Sequence, residues 1–256
     1  MIKKVLSFLS CCLLFSCSGS KAPQAITDYL NNCSLDKALA FATTSLFTSS
    51  SVYTNLDTKA EIGSVKYTIQ DDRRDMSNYH SKTVEYFTGT GAIYDSESNL
   101  YIMDTTAETV KSEDDLYVTT IVKHGYASQE DVGSGKTLTA YNKEVKFTSS
   151  DLESQSMTVF YSSDSPYYSG GIYYGGYFQY LISYYPYMSI TEDNIFTYTL
   201  TDYPIKTDTE QGLYNELLHM NEYGLLIDVT QSVKNYTTMV SSSMTATSVY
   251  NQELSF

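Results

Sequence analysis

The chain of 256 residues contains no tryptophan, four prolines and four cysteines. Lysine and arginine together number 16 against 30 acidic residues, a formal charge of −14. That deficit of positive charge argues against contact with nucleic acid or anionic lipid headgroups through the protein surface. No stretch outside the N-terminal region runs to 18 apolar residues, so the body lacks the length of greasy chain that a spanning helix needs. Between residues 24 and 165 there is no proline at all. Long strands can therefore form there without a missing ladder donor.

Beside these absences stands an N-terminus built like a secretory signal. Lys3 and Lys4 form a positive start, Val5 to Phe15 a short apolar run, and Leu14-Phe15-Ser16-Cys17 closes it. The last four residues resemble a bacterial lipobox. The resemblance implies cleavage after Ser16 and a diacylglyceryl group on the Cys17 thiol, the only prosthetic group expected. An ordinary signal peptide with a chance cysteine is the alternative. Cys11 and Cys12 fit the pattern worse, because Phe8 stands where Cys11 would want an aliphatic residue and Cys11 itself precedes Cys12. Two acyl chains hold a protein on a membrane stably where one does so only marginally. The expected location is thus extracytoplasmic, with the membrane as partner through the lipid. Loss of Lys3 and Lys4 leaves 14 basic side chains against 30 acidic ones and a formal charge of −16.

With Cys11 and Cys12 removed and Cys17 lipidated, Cys33 is alone and no intramolecular disulfide can form. It lies in a helix-like segment, as a small buried hydrophobe. Residues 17–24 read as a flexible tether, and 25–256 as a single β-rich domain without an internal repeat. From Ala25 the pattern is helical, with Ile26, Tyr29 and Leu30 on one face; Ser34 caps a second helical stretch expected to reach Leu46. From about Ser51 the period becomes two. Leu116, Val118, Thr120 and Val122 alternate with Tyr117, Thr119, Ile121 and Lys123. Two strands around Asn221-Glu222-Tyr223-Gly224 predict a hairpin, and Thr237 to Tyr250 predict a last strand with Val240, Met244, Ala246 and Tyr250 on one side.

Residues 165–190 stand apart. Nine tyrosines fall between Tyr167 and Tyr187, and no charged side chain lies between Asp164 and Glu192. Phe178, Leu181, Ile182 and Tyr185 share helical spacing, which predicts a short helix from about Gly176 to Tyr184, ended before Pro186. The predicted class is α+β, mainly β: a large curved antiparallel sheet, with an N-terminal helix and the helix near 176–184 packed on it.

Chemistry-bearing motifs do not survive inspection. Gly133-Ser-Gly-Lys-Thr137 ends like a phosphate loop, but the opening glycine would fall at Glu130, and the following residues read as strand. His80, His124 and His219 are scattered, and no metal site is predicted. Asp71-Asp72-Arg73-Arg74-Asp75 reads as a solvated, self-compensating turn. Asp95-Ser-Glu97-Ser-Asn99 and Asp208-Thr-Glu210 alternate carboxylates without the rest of a calcium loop. Ser18-Gly-Ser-Lys21 lies in the tether, where nothing can preorganise a serine–lysine pair. The expectation is a protein that is not an enzyme.

Three functions are compatible with this body. In the first, the order of elements over residues 25–256, with Gly224-Leu-Leu-Ile227 where a hairpin re-enters the sheet, resembles the half-barrel of bacterial lipoprotein carriers, the LolA–LppX superfamily. The resemblance implies a cavity between sheet and helices for an amphipathic or lipid ligand. Candidate contacts are Phe178, Leu181, Ile182 and Tyr185 as a lid, with Tyr174 and Tyr177. In the second, Tyr173, Tyr174, Tyr177, Tyr180 and Tyr184 form an exposed row that stacks on glycans. In the third, the body is a structural or interaction subunit without a small ligand. The sequence sets no oligomeric state.

Overall fold

A computed structural model describes residues 21–113, 116–148, 174–207 and 209–256. The signal segment, Cys17 and Tyr173 lie outside these residues. Helix α1 (Gln24–Asn32) buries Ile26, Tyr29 and Leu30, as the spacing predicts. Helix α2 (Leu35–Phe41) follows, with the Ser34 hydroxyl accepting the Lys37 amide at 3.3 Å. It stops at Phe41 and does not reach Leu46, for strand β1 (Thr44–Asn55) begins three residues on. Thr43, Thr44 and Phe47 are weak helix formers, and β1 is hydrogen-bonded on both sides.

The strands β2 (Glu61–Asp72), β3 (His80–Gly89), β4 (Ile93–Asp95), β5 (Leu100–Glu113), β6 (Leu116–Tyr126) and β7 (Thr139–Thr148) lead out from β1 on one side. On the other side lie β8 (Met188–Ile190), β9 (Phe196–Lys206), β10 (Gln211–Met220), β11 (Leu226–Asn235) and β12 (Val240–Tyr250). All join one curved, unclosed antiparallel sheet in the order β7-β6-β5-β3-β2-β1-β12-β11-β10-β9-β8, with β4 on β5. The predicted mainly β, α+β class and its large curved sheet are what forms. Two meanders meet at β1 and β12, so the first and last strands are neighbours in the middle of the sheet, with Ser45 opposite Tyr250.

The predicted hairpin is β10–β11, and Gly224 takes φ +77° in its turn, a conformation that glycine adopts without strain. The Gly133–Thr137 motif sits in the connection between β6 and β7, with Gly133 and Gly135 at positive φ and no helix after it. Helix α3 (Gly175–Tyr180) is shorter than predicted. A 3-10 segment, Ile182–Tyr187, continues it and contains Pro186. An α-helical turn reaching Pro186 would drive its ring into the carbonyl four residues back, and the tighter segment avoids this.

Two apolar clusters form on the face that carries the helices, here the inner face. The larger gathers α1, α2 and α3 over β1, β2 and β8–β12. Phe178 and Phe196 lie at its centre, with Leu218, Met220, Leu225, Leu226 and Val229 almost inaccessible. Tyr29 stacks on Phe196 at 5.1 Å, and Phe178 meets Phe196 at 5.1 Å and Tyr198 at 4.9 Å. The smaller cluster, Tyr53, Val65, Phe87, Leu100 and Ile102, lies toward the other end of β1 and β2. Gly125 of β6 touches the strand beside this cluster so closely that an added Cβ would sit 2.3 Å from the Tyr101 carbonyl oxygen.

Candidate functional site

The hairpin tip is the point where the helices converge. Asn221 Oδ1 accepts the amides of Tyr223 and Leu225, which fixes the turn. The Tyr29 hydroxyl of α1 donates to the Asn221 carbonyl, Phe41 of α2 stacks on Tyr223 at 4.4 Å, and the amides of Tyr174 and Gly175 donate to the Gly224 carbonyl at 2.9 and 3.0 Å. Gln179 then binds α3 to α1: its Nε2 donates to the carbonyl oxygens of Leu30 at 2.7 Å and Cys33 at 3.2 Å. Cys33 is buried there, as its helix-like setting predicts. Burial pushes its thiol up to about 11, far from a reactive thiolate.

Cross-strand register shows what the inner face offers. One row crosses the sheet as Met188, Tyr198, Leu218, Val229, Ala246, Ser49, Tyr67, Glu85, Thr105, Lys123 and Tyr141. From β8 to β12 the row is buried and apolar; from β1 onward it is hydroxylated and charged, and only half-buried. The helices cover the first half. The neighbouring rows on the β3–β6 side are mixed: Ser81, Thr109 and Thr119 align in one, with Thr109 and Thr119 sharing a hydrogen bond of 2.8 Å, Thr83, Ala107 and Ile121 align in another, and Val65 and Phe87 belong to the smaller apolar cluster.

The carboxylates of Glu85, Glu216 and Asp71 face inward. Burial raises the Glu85 carboxyl above its ordinary range, partly offset by Lys123. Glu216 is 4% exposed; burial raises its carboxyl, although Gln231 Nε2 donates to Oε1 at 2.8 Å and the Tyr214 hydroxyl lies against it. Asp71 corrects the expectation of a solvated turn. It is buried at the end of β2, 2.7 Å from Arg73, and burial raises its carboxyl against the pull of that guanidinium. Sequence reading missed Glu216, yet it alternates with Leu218 and Met220 as the one charge on the buried side of β10. At the far corner Lys123 Nζ reaches Asp95 at 2.9 Å and Glu97 at 3.6 Å, and Lys143 also pairs with Glu97. The carboxylates of the Asp95–Asn99 loop are therefore turned to lysines.

Of the predicted contacts, Phe178 and Leu181 are buried in the larger cluster, and Tyr174, Tyr177 and Tyr185 are half-buried at its margin. Ile182 does not join them; at 36% exposure it faces outward, because the chain leaves α-helical geometry at Leu181. Among the described residues, the tyrosines expected in an exposed row do not form one. Tyr174, Tyr177 and Tyr184 pack on the core, whereas Tyr180 stands out at 80% exposure. The histidines lie on the outer face, each against a carboxylate on a neighbouring strand: His80 with Glu108 at 2.7 Å, His124 with Asp104 at 2.6 Å and His219 with Asp228 at 2.8 Å. Among the described residues no three His, Cys, Asp or Glu side chains gather as a metal site.

No family model matches the chain, and no curated protein does. Solved structures do. One that is similar is a domain from Vibrio parahaemolyticus assigned to outer membrane lipoprotein sorting, 7% identical, with 91% of this chain and 94% of that chain covered and a TM-score of 0.22. No helix among the described residues is long and apolar enough to cross a membrane.

Proposed function

We propose that this is a lipid-anchored extracytoplasmic protein that binds, rather than transforms, an amphipathic ligand on the inner face of its sheet. The observation that supports the reading is the chemical division along the row that runs from Met188 to Tyr141 on that face. The apolar half, Tyr198-Leu218-Val229-Ala246, suits an acyl or similar chain. The half-buried polar half, Glu85-Thr105-Lys123, suits a head that keeps hydrogen bonds and some water. Helix α3 covers the apolar half. It is six residues long and held by the Gln179 side chain and the Gly224 carbonyl, so it is the element that shifts to admit a ligand, with Phe178, Leu181, Tyr174, Tyr177 and Tyr185 as its contacts. Residues 25–256 act as one unit in this reading, residues 1–16 are a removed signal, and residues 17–24 tether the unit to a diacylglyceryl group on Cys17.

Two measurements test it. Native mass spectrometry of the protein should show a co-purifying amphiphile, and a hydrophobic dye should compete with it for a single site. No bound species and no saturable dye binding would refute the ligand. Growth with a labelled fatty acid should label the natural chain and not Cys17→Ala; label retained by the variant would refute the anchor.

A further inference from the structure

Tyr180, Ile182 and Tyr187 form a tyrosine-rich surface outside the contacts proposed for the ligand. Tyr180 is 80% exposed, Tyr187 40% and Ile182 36%, and Tyr187 leans on Tyr184 and Tyr203 with ring centroids 6.3 Å apart in each pair. No charged side chain occurs from Tyr174 to Thr191, in a chain of formal charge −14. The elements on either side of this segment, α3 and β8, are both in contact with α1. Helix α1 is about 13 Å long at 1.5 Å per residue, so the chain entering it at Gln24 starts close to the tyrosine surface. Upstream, Cys17 to Pro23 can span at most about 25 Å when fully extended. A domain of this length is roughly 45 Å across, so such a tether does not let it roll freely over a bilayer.

We infer that the surface of Tyr180, Ile182 and Tyr187 rests on the membrane, at the boundary between headgroups and acyl chains. The inference rests on the lipid anchor at Cys17. Tyrosine suits that boundary, with an apolar ring and a hydroxyl that stays hydrated. Charge points the same way, since anionic headgroups repel the acidic body less where a chain segment, Tyr174 to Thr191, carries no charged side chain. Docked so, α3 lies between bilayer and inner face, where an amphipathic ligand would pass.

The absence of tryptophan makes a clean test possible. The full lipidated chain is reconstituted in phosphatidylcholine vesicles as Tyr180→Trp, and separately as Tyr86→Trp, a position 57% exposed on the outer face. The Tyr180→Trp emission should shift to the blue and lose most of its intensity when the lipid acyl chains carry bromine, while the Tyr86→Trp emission should do neither. Equal, unquenched emission from both overturns the inference while the anchor stands. Failure of the protein to float with vesicles, with Cys17→Ala behaving as the parent, overturns the anchor and the inference together. A blue shift that grows with protein concentration in the absence of lipid assigns the patch to self-association, and a shift on adding soluble oligosaccharide without bromine quenching assigns it to a glycan; either overturns the proposal.

Discussion

Phe178 and Ile182 are four residues apart with similar apolarity, and the structure places one at 1% exposure and the other at 36%. Phe178 meets the rings of Tyr177, Phe196 and Tyr198, so Phe178→Ala should cost about 3–5 kcal/mol, whereas Ile182→Ala should change stability by about 0.5 kcal/mol or less. Urea unfolding of both variants checks this, and similar losses would mean that the two share one environment. Glu216 gives a pH prediction. Burial raises its carboxyl in the folded state above the ordinary value of 4.5, so the fold favours its protonated form. Its contribution to stability is fully present below pH 4.5 and is lost as the pH rises through the folded-state value. Glu216→Gln removes this dependence. The variant's stability relative to the natural chain should therefore increase with rising pH from weakly acidic to neutral conditions. A difference that shrinks over that range would show that the carboxylate is stabilised in the fold.

Helix α3 is too short to be stable by itself, and its attachment depends on side chains reaching from other elements. Gln179→Ala removes two hydrogen bonds to the end of α1 and should cost about 1–2 kcal/mol. If α3 is the cover of the ligand site, the same variant should take up a hydrophobic dye faster without a matching change in affinity; unchanged entry rates would exclude α3 as the cover. The elements that sequence periodicity reveals are those whose burial repeats along one chain segment. Ile26, Tyr29 and Leu30 mark α1, and the turn residues Asn221 and Gly224 mark the hairpin. The end of α2 and the start of β1 were not legible, because they depend on pairing with Asp72 and Tyr250, far away in sequence. The same holds for the site. Ser49, Glu85 and Lys123 belong to different strands, and only the cross-strand register aligns them in one row.

At the scale of the molecule the central feature is the join of β1 to β12. Each meander is built from strands that follow one another closely, and β10 and β11 are linked by a tight turn. The middle of the sheet instead requires Ser45 to find Tyr250 and Asn55 to find Val240. Closing so long a loop costs entropy before the ladder and the larger cluster return any free energy, and sheets dominated by such contacts fold in milliseconds to seconds or more slowly. Phe47 of β1 and Ala246 of β12 both belong to the larger cluster, so the helices gain their full packing surface only when the join is made. Pulse-labelling hydrogen exchange during refolding of the full chain should therefore show amides of β10 and β11 protected before those of β1 and β12, with α1 and α3 gaining protection together with the join. Protection of β1 and β12 at the earliest time would mean that the two ends meet first and that the meanders assemble onto them.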